Sequence, residues 1–381
     1  MTISRTFANS ARGWQTVKTA NFTAVAGCNY PVNTTSGAIT VTLPASPSAG
    51  DIVQLTDYAG TWATNNVTVG RNGSNINGVA ANYTLDANRG SAAFVYVDAT
   101  QGWVVYSAFA IPKSPVYSVS YLLAAGGAGA PTSGVTNLGG GGAGGVLSGS
   151  VTLTASTVYT VTIGAGGSSS SNGSNSSFTS VTTALGGGAG GSPGSSGGSG
   201  GGGGSGGTAA GSGTIGQGNN GGTGFSSSPF TTGGGGGAGA VGANANVSGG
   251  GNGGIGIIST LITTAQATSA AVGEVVSTNV YFGGGGGGAT NSGGTNGTGG
   301  SGGGGRGNIN GTNQPVNGTT NTGGGGGGGA GAAAASSGGS GVMILSIPTA
   351  FYSGISTGSP TVVVNGQNTV LIFKSSGSYT A

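Results

Sequence analysis

The chain has 381 residues, of which 94 are glycine and only 3% are charged, with a formal net charge of +3 and no histidine. The missing histidine removes Ser-His and Cys-His nucleophile pairs and most zinc sites, so the expectation is a protein that is not an enzyme and has neither catalytic nor metal residues nor cofactors. The basic residues are scattered, which gives no nucleic-acid footprint, and no apolar stretch is long enough for membrane insertion.

The N-terminus, MTISRTFANSARGWQ, lacks the apolar core of a secretory leader. Cys28 is the single cysteine, so no intramolecular disulfide forms. Residues 1–20 are polar, with Trp14 the only large anchor, and read either as a loose terminus or as an attachment arm. Residues 21–115 read as an all-β domain. Apolar and polar residues alternate over Ile39–Leu43, and a second strand follows over Asp51–Thr56. NNVTVGRNGSNING adds a short strand and Asn-Gly turns, and SAAFVYVDATQGWVVYS gives two strands around Asp98–Gly102. Short strands between such turns predict a sandwich or a small barrel. Tyr58, Trp62, Tyr83, Phe94, Tyr96 and Trp103 are expected in its core or an interface, with a sugar platform as the sharper alternative.

Composition changes after IPKSP (111–115), where the domain boundary is drawn: ten glycines precede Val116 and the others follow it. YSVSYLLAAGG opens the second region with a strand, VTLTASTVYTVTIGAGG (151–167) reads as a hairpin, FTSVTTAL (178–185) as a strand and GVMILSI (341–347) as a buried strand. Residues 348–381, with TVVV and TVLIFKS about a turn at Asn365–Asn368, read as a small C-terminal β module.

Between these elements lie runs such as GGGGAGG (139–145), GGGGGAG (233–239), GGGGGGA (283–289) and GGGGGGGAG (323–331). A Gly/Ser linker would be disordered, since fixing a glycine costs backbone entropy and buries no side chain. Strands bracket these runs, however, and charge is almost absent, unlike a disordered chain. A three-residue-per-turn extended helix points every N–H and C=O outward, and without Cβ atoms neighbouring helices approach closely enough to pair them. The expected fold is therefore all-β plus irregular: the N-terminal β domain, a lattice of polyglycine-II helices over 116–347, and the terminal β module. If the runs alternate in direction, the long connections 146–185, 208–232, 255–282 and 306–322 gather at one end and the short ones at the other. Loops on a rigid scaffold are the usual seat of recognition. The candidates are Phe225, Pro229 and Phe230, with Asn308, Ile309 and Asn310. Ile257, Ile258, Leu261 and Ile262 are read as a satellite core or a contact between subunits.

LPASPSAGDIVQLTDYAGTWATNNVTVGRNGSNINGVA and FVYVDATQGWVV resemble a module of marine phage tail fibres. YLLAAGGAGA, GGGGAGGVLSGSVTLTASTVYTVTIGAGG and GGSGVMILSIPTAF resemble the glycine-rich domain of such fibres, and GSPTVVVNGQNTVLIFKSSGSYT their C-terminal end. The resemblance covers about 40 to 381. It implies a virion component made in the host cytoplasm and commonly trimeric, which binds a host surface polysaccharide or outer-membrane protein. Other tail proteins would hold its N-terminal region. The alternatives are a structural fibre, head decoration or adaptor, and a polysaccharide-cleaving tailspike, for which the few acids are a poor supply.

Overall fold

The computed structural model describes residues 13–110, 116–131 and 137–381, with the side chains of 107–110 left aside. Most of the 1–20 arm (residues 1–12) and the boundary segment 111–115 of the sequence reading thus lie outside the described residues. The chain divides into two compact units, Met1–Pro115 and Val116–Ala381.

In the first unit the strands are β1 (Phe22–Thr23), β2 (Cys28–Val32), β3 (Ile39–Thr42), β4 (Ile52–Asp57), β5 (Val67–Gly70), β6 (Tyr83–Leu85), β7 (Gly90–Asp98) and β8 (Gly102–Ala110). They form two four-stranded sheets, β1-β3-β5-β6 and β2-β4-β7-β8. This is a pair of open sheets and not a closed barrel. From β1 to β5 the chain crosses between sheets at every step, which makes β1-β3, β3-β5 and β2-β4 parallel. The alternating apolar residues of both sheets meet in one core around Val41, Leu43, Val53, Leu55, Trp62, Phe94 and Trp103. Of the aromatics considered as a sugar platform, Trp62, Phe94 and Trp103 are buried in that core and only Tyr58 is prominently exposed.

The second unit begins with β9 (Val116–Ala124), β10 (Val146–Thr154), β11 (Val158–Thr162) and β12 (Ser177–Phe178). An excursion follows of β13 (Ile257–Ser259), α1 (Thr264–Ala270), β14 (Glu274–Val276) and β15 (Asn279–Phe282). The last strands are β16 (Val342–Pro348), β17 (Ser356–Thr357), β18 (Thr361–Asn365), β19 (Asn368–Phe373) and β20 (Gly377–Thr380). They build sheets β10-β9-β16-β19-β18 and β12-β11-β20-β17. Residues 348–381 thus complete both sheets instead of standing apart as a module.

The expected hairpin over 151–167 is instead a corner, because β10 pairs with β9 while β11 pairs with β12 and β20. The reason is burial. Leu153 at one side of the corner and Tyr159 and Val161 at the other face a common core, and the Tyr159 hydroxyl accepts the Thr154 N–H at 2.7 Å. Of the expected strand 178–185 only Phe178 lies in a sheet, as the second residue of β12, since Ser180 takes a left-handed φ of 72°. Thr263 and Gln266 form a capping box that starts α1, and Ile262, Ala267 and Ala270 pack beneath it. Ile262 is therefore core, whereas Ile258 is exposed.

The glycine runs form the lattice. Leu138, Gly141 and Gly144 donate to the carbonyls of Gly329, Gly326 and Gly323, so every third residue faces the same antiparallel neighbour. Gly140 and Ala143 donate to Gly233 and Gly236 of a parallel neighbour, and Gly142 and Gly145 to Gly188 and Leu185 of another antiparallel one. The carbonyls of this central run accept from three further segments: at Gly142 and Gly145 from Ala128 and Ala125, at Gly140 and Ala143 from Gly202 and Ser199, and at Gly141 from Gly286. A threefold backbone bonded laterally on all sides is the polyglycine-II arrangement. Each such bond is worth a net ~0.5–1.5 kcal/mol, and ordering a residue's backbone costs ~1–2 kcal/mol. The terms nearly cancel, so the lattice depends on near-complete pairing and on the sheets that clamp one of its ends.

The register also shows which connections lie at which end. Segments 171–176, 208–214, 218–225, 241–246, 304–309, 314–319 and 334–341, read from sequence largely as loops or loop margins, are lattice segments themselves. Their larger residues sit at the lattice margin, where side chains complete the bonding. Asn172, Asn175, Asn220, Asn244, Asn252 and Asn317 each accept a backbone N–H of an adjacent segment through Oδ1. These extra segments overturn the expected sorting of long and short connections. The 256–282 excursion lies at the end that carries the sheets, whereas 225–230 and 309–313 are short turns at the opposite end.

Candidate functional site

The end of the lattice away from the sheets is made of turns. Among them are 205–207, 225–230, 246–249, 290–294, 309–313 and 331–334. Two of these hold the residues singled out from sequence.

The first turn closes where the Phe225 N–H donates to the Thr231 carbonyl at 3.0 Å, and the Phe225 carbonyl accepts from Gly206 at 3.1 Å. Inside it the Phe230 N–H donates to Ser227 at 2.8 Å. Pro229 is buried, Phe225 half-buried, and the Phe230 ring is 44% exposed. A phenylalanine held at a left-handed φ of 54° with its ring toward water is unusual for a bulky residue.

The second turn is anchored by Asn308. Its side-chain amide pairs with one backbone residue in both directions, accepting from the Ala330 N–H at 2.7 Å and donating to the Ala330 carbonyl at 3.1 Å. Asn308 is 1% exposed and acts as a positioning residue, with both ends of its amide in use. Ile309 is half-buried; its N–H donates to Asn313 Oδ1 at 3.0 Å, and Gln314 Oε1 accepts the Ala334 N–H at 2.8 Å. Among the described residues the side-chain nitrogens of Asn313 and Gln314 have no hydrogen-bond partner. Asn308, Asn310–Gln314, Ala332 and Ala333 line an open cleft of about 360 Å³.

Two asparagines tie the turns together. The Asn291 N–H donates to the Pro229 carbonyl at 3.3 Å, and Asn291 Oδ1 accepts from the Asn310 side chain at 2.8 Å. Asn137 Nδ2 donates to the Phe230 carbonyl at 2.7 Å, while its Oδ1 faces the Gly331 N–H at 3.4 Å. Gly331 lies directly under the Asn310 side chain, with no room for a Cβ. Sequence reasoning named neither Asn137 nor Asn291, nor the cleft residues Asn313 and Gln314. The one signal available was a Thr-Asn pair one residue away from a glycine run, at 136–137 and 290–291.

The chemistry of this end is neutral. Residues 225–231 and 308–314 contain no ionisable side chain, and the nearest in sequence is the exposed Arg306. Amide donors beside an exposed ring suit hydroxyl-rich, uncharged ligands, through hydrogen bonds and stacking on the ring face. The shifted ionisable groups lie elsewhere. Burial, with the Tyr379 hydroxyl 3.1 Å away, pushes the Tyr117 phenol well above its ordinary value, and burial also raises Tyr352.

A family model described as a glycine-rich domain matches residues 104–348. No curated protein matches the chain.

Proposed function

The chain belongs to the glycine-rich domain family, and from that premise we propose that it is a phage tail fibre, a receptor-binding protein that recognises a host-surface glycan or outer-membrane component. One observation carries the reading: Phe230 and the amide-lined cleft at Asn310–Gln314 are held together, by Asn137 and Asn291, at the end of a rigid lattice. Loops fixed on such a scaffold lose little entropy on binding. The module resemblances over 40 to 381 support the viral assignment. The active form is a homo-oligomer, a trimer by that resemblance, with the N-terminal region docked on other tail proteins. Several weak sites per particle give avidity without tight single contacts.

The test uses the purified full chain, its oligomeric mass checked by light scattering. Binding is measured to arrays of bacterial surface polysaccharides and to whole marine bacteria. We expect selective binding that Phe230→Ala or Asn313→Ala weakens about tenfold, ~1.4 kcal/mol each. Absence of binding by an assembled protein would favour the structural fibre, head decoration or adaptor instead.

A further inference from the structure

We propose that Asn310 is a site of spontaneous covalent modification, where the Asn310–Gly311 turn converts to aspartate and isoaspartate. Nine Asn-Gly pairs occur in the chain, at Asn72, Asn77, Asn172, Asn220, Asn252, Asn296, Asn310, Asn317 and Asn365. The reaction needs the glycine nitrogen. It attacks Cγ of the preceding asparagine, closing a five-membered imide, and the side-chain nitrogen leaves as ammonia. The attacking nitrogen gives up its proton to solvent. Water then opens the ring at one carbonyl, to leave aspartate, or at the other, to leave isoaspartate with the main chain lengthened by one carbon.

The fold sorts the nine pairs. In six of them the glycine N–H is held: Gly78 by Gln101, Gly173 by Gly187, Gly221 by Gly211, Gly253 by Thr298, Gly297 by Gly288 and Gly318 by Ser337, all at 2.8–3.1 Å. For these, attack would first break a bond, in most cases one inside the lattice. Among the described residues the N–H groups of Gly73, Gly311 and Gly366 have no such partner, and they sit in β-turns with nothing within 4 Å of a built Cβ. Among these three, the Asn72 and Asn365 side chains are tied to the distant backbone carbonyls of Leu43 and Leu261. Asn310 is exposed, and among the described residues its amide is held only by a side chain of the same turn end, the half-buried Asn291. Asn310 is therefore the fastest site.

The consequence for recognition rests on the function proposed above. Conversion replaces the donor that bonds Asn291 and sets a negative charge in a neutral site. The modification would act as a clock that retires the recognition end as the particle ages.

The test incubates the folded full chain at mildly alkaline pH over weeks and maps the amide-to-acid mass change residue by residue. Isoaspartate is distinguished by electron-transfer fragmentation. The expected order is Asn310 first, Asn72 and Asn365 more slowly, and the six held pairs at least tenfold slower than Asn310. The same incubation in denaturant should bring all nine to similar rates. The proposal is overturned if Asn310 stays intact while the denatured chain converts, or if the held pairs convert as fast as Asn310 in the folded protein. Asn310→Gln should remove the leading signal and leave the others in place. Binding by aged protein is compared with Asn310→Asp in parallel. Conversion without loss of binding would sink the role given to this loop while leaving the chemistry standing.

Discussion

Gly286 donates its N–H to the carbonyl of Gly141 at 2.9 Å, joining two extended segments that run in opposite directions through the centre of the lattice. The N–H of Gly141 is meanwhile bonded to Gly326 at 2.8 Å, and a Cβ built on Gly141 would fall on the Ala128 carbonyl. The position allows no side chain, because the space a methyl would fill holds a neighbour's backbone.

Gly141→Ala should therefore destabilise the second unit by more than ~3 kcal/mol, a cost set by overpacking and lost hydrogen bonds together. Gly149→Ala is the control: it lies in β10, and its Cβ would meet the Tyr121 hydroxyl at 3.6 Å and ring edge at 3.7 Å, ordinary contacts. That change should be neutral or mildly stabilising, since glycine weakens a strand interior. Thermal melts of the two variants beside the parent decide the point.

Gln217 takes a lattice position with its side chain. Its Oε1 accepts from Leu185 N at 2.8 Å and its Nε2 donates to the Thr183 carbonyl at 3.0 Å. Gln217→Ala leaves both backbone groups unpaired in a site that is 8% exposed in the parent. A loss of ~2–3 kcal/mol is expected, about 1 kcal/mol or more for each orphaned group. Hydrogen exchange should localise the damage, with Leu185 the first amide to lose protection.

The tyrosine cluster sets a base limit. Tyr117 and Tyr352 have raised pKa values, so the fold favours the neutral phenol. Their contribution is fully present below the ordinary value of 10.0 and is lost as the pH rises above it, because the unfolded chain ionises first. The melting temperature of the second unit should be level from neutrality to about pH 9 and fall above 10. Tyr117→Phe should flatten that fall, and an unchanged slope would remove Tyr117 from the explanation.

Binding should hardly respond to salt. The turns 225–231 and 308–314 carry no charge, so screening has little to act on. Adsorption measured from low to physiological ionic strength should change less than twofold. A steep decline would place the contact on charged residues elsewhere in the chain.

The parts of this architecture that sequence revealed are those in which side chains repeat with a period. Ile39–Leu43, GVMILSI and the hairpin about Asn365–Asn368 are strands of the structure because their apolar residues fix a burial pattern. The corner at 154–158 was not legible, since two strands of one core look alike whether they lie side by side or face to face. In the lattice the pure glycine runs were readable, but segments such as 218–225 and 314–319 passed for loops. A marginal segment needs close approach on one side only and bears Asn, Ser and Thr on the other. That omission scrambled the assignment of ends. The placement of Phe230 beside Asn310 depends on Asn137 and Asn291, which are distant in sequence and share only a Thr-Asn pair near a glycine run.

The most direct measurement exchanges both turns, 226–230 and 309–314, for short Gly/Ser connections in the full chain and compares its adsorption to a bound bacterial strain with that of the parent. An assembled, folded protein that no longer binds or blocks adsorption is expected. A variant that keeps its fold and still binds at parental strength would contradict it.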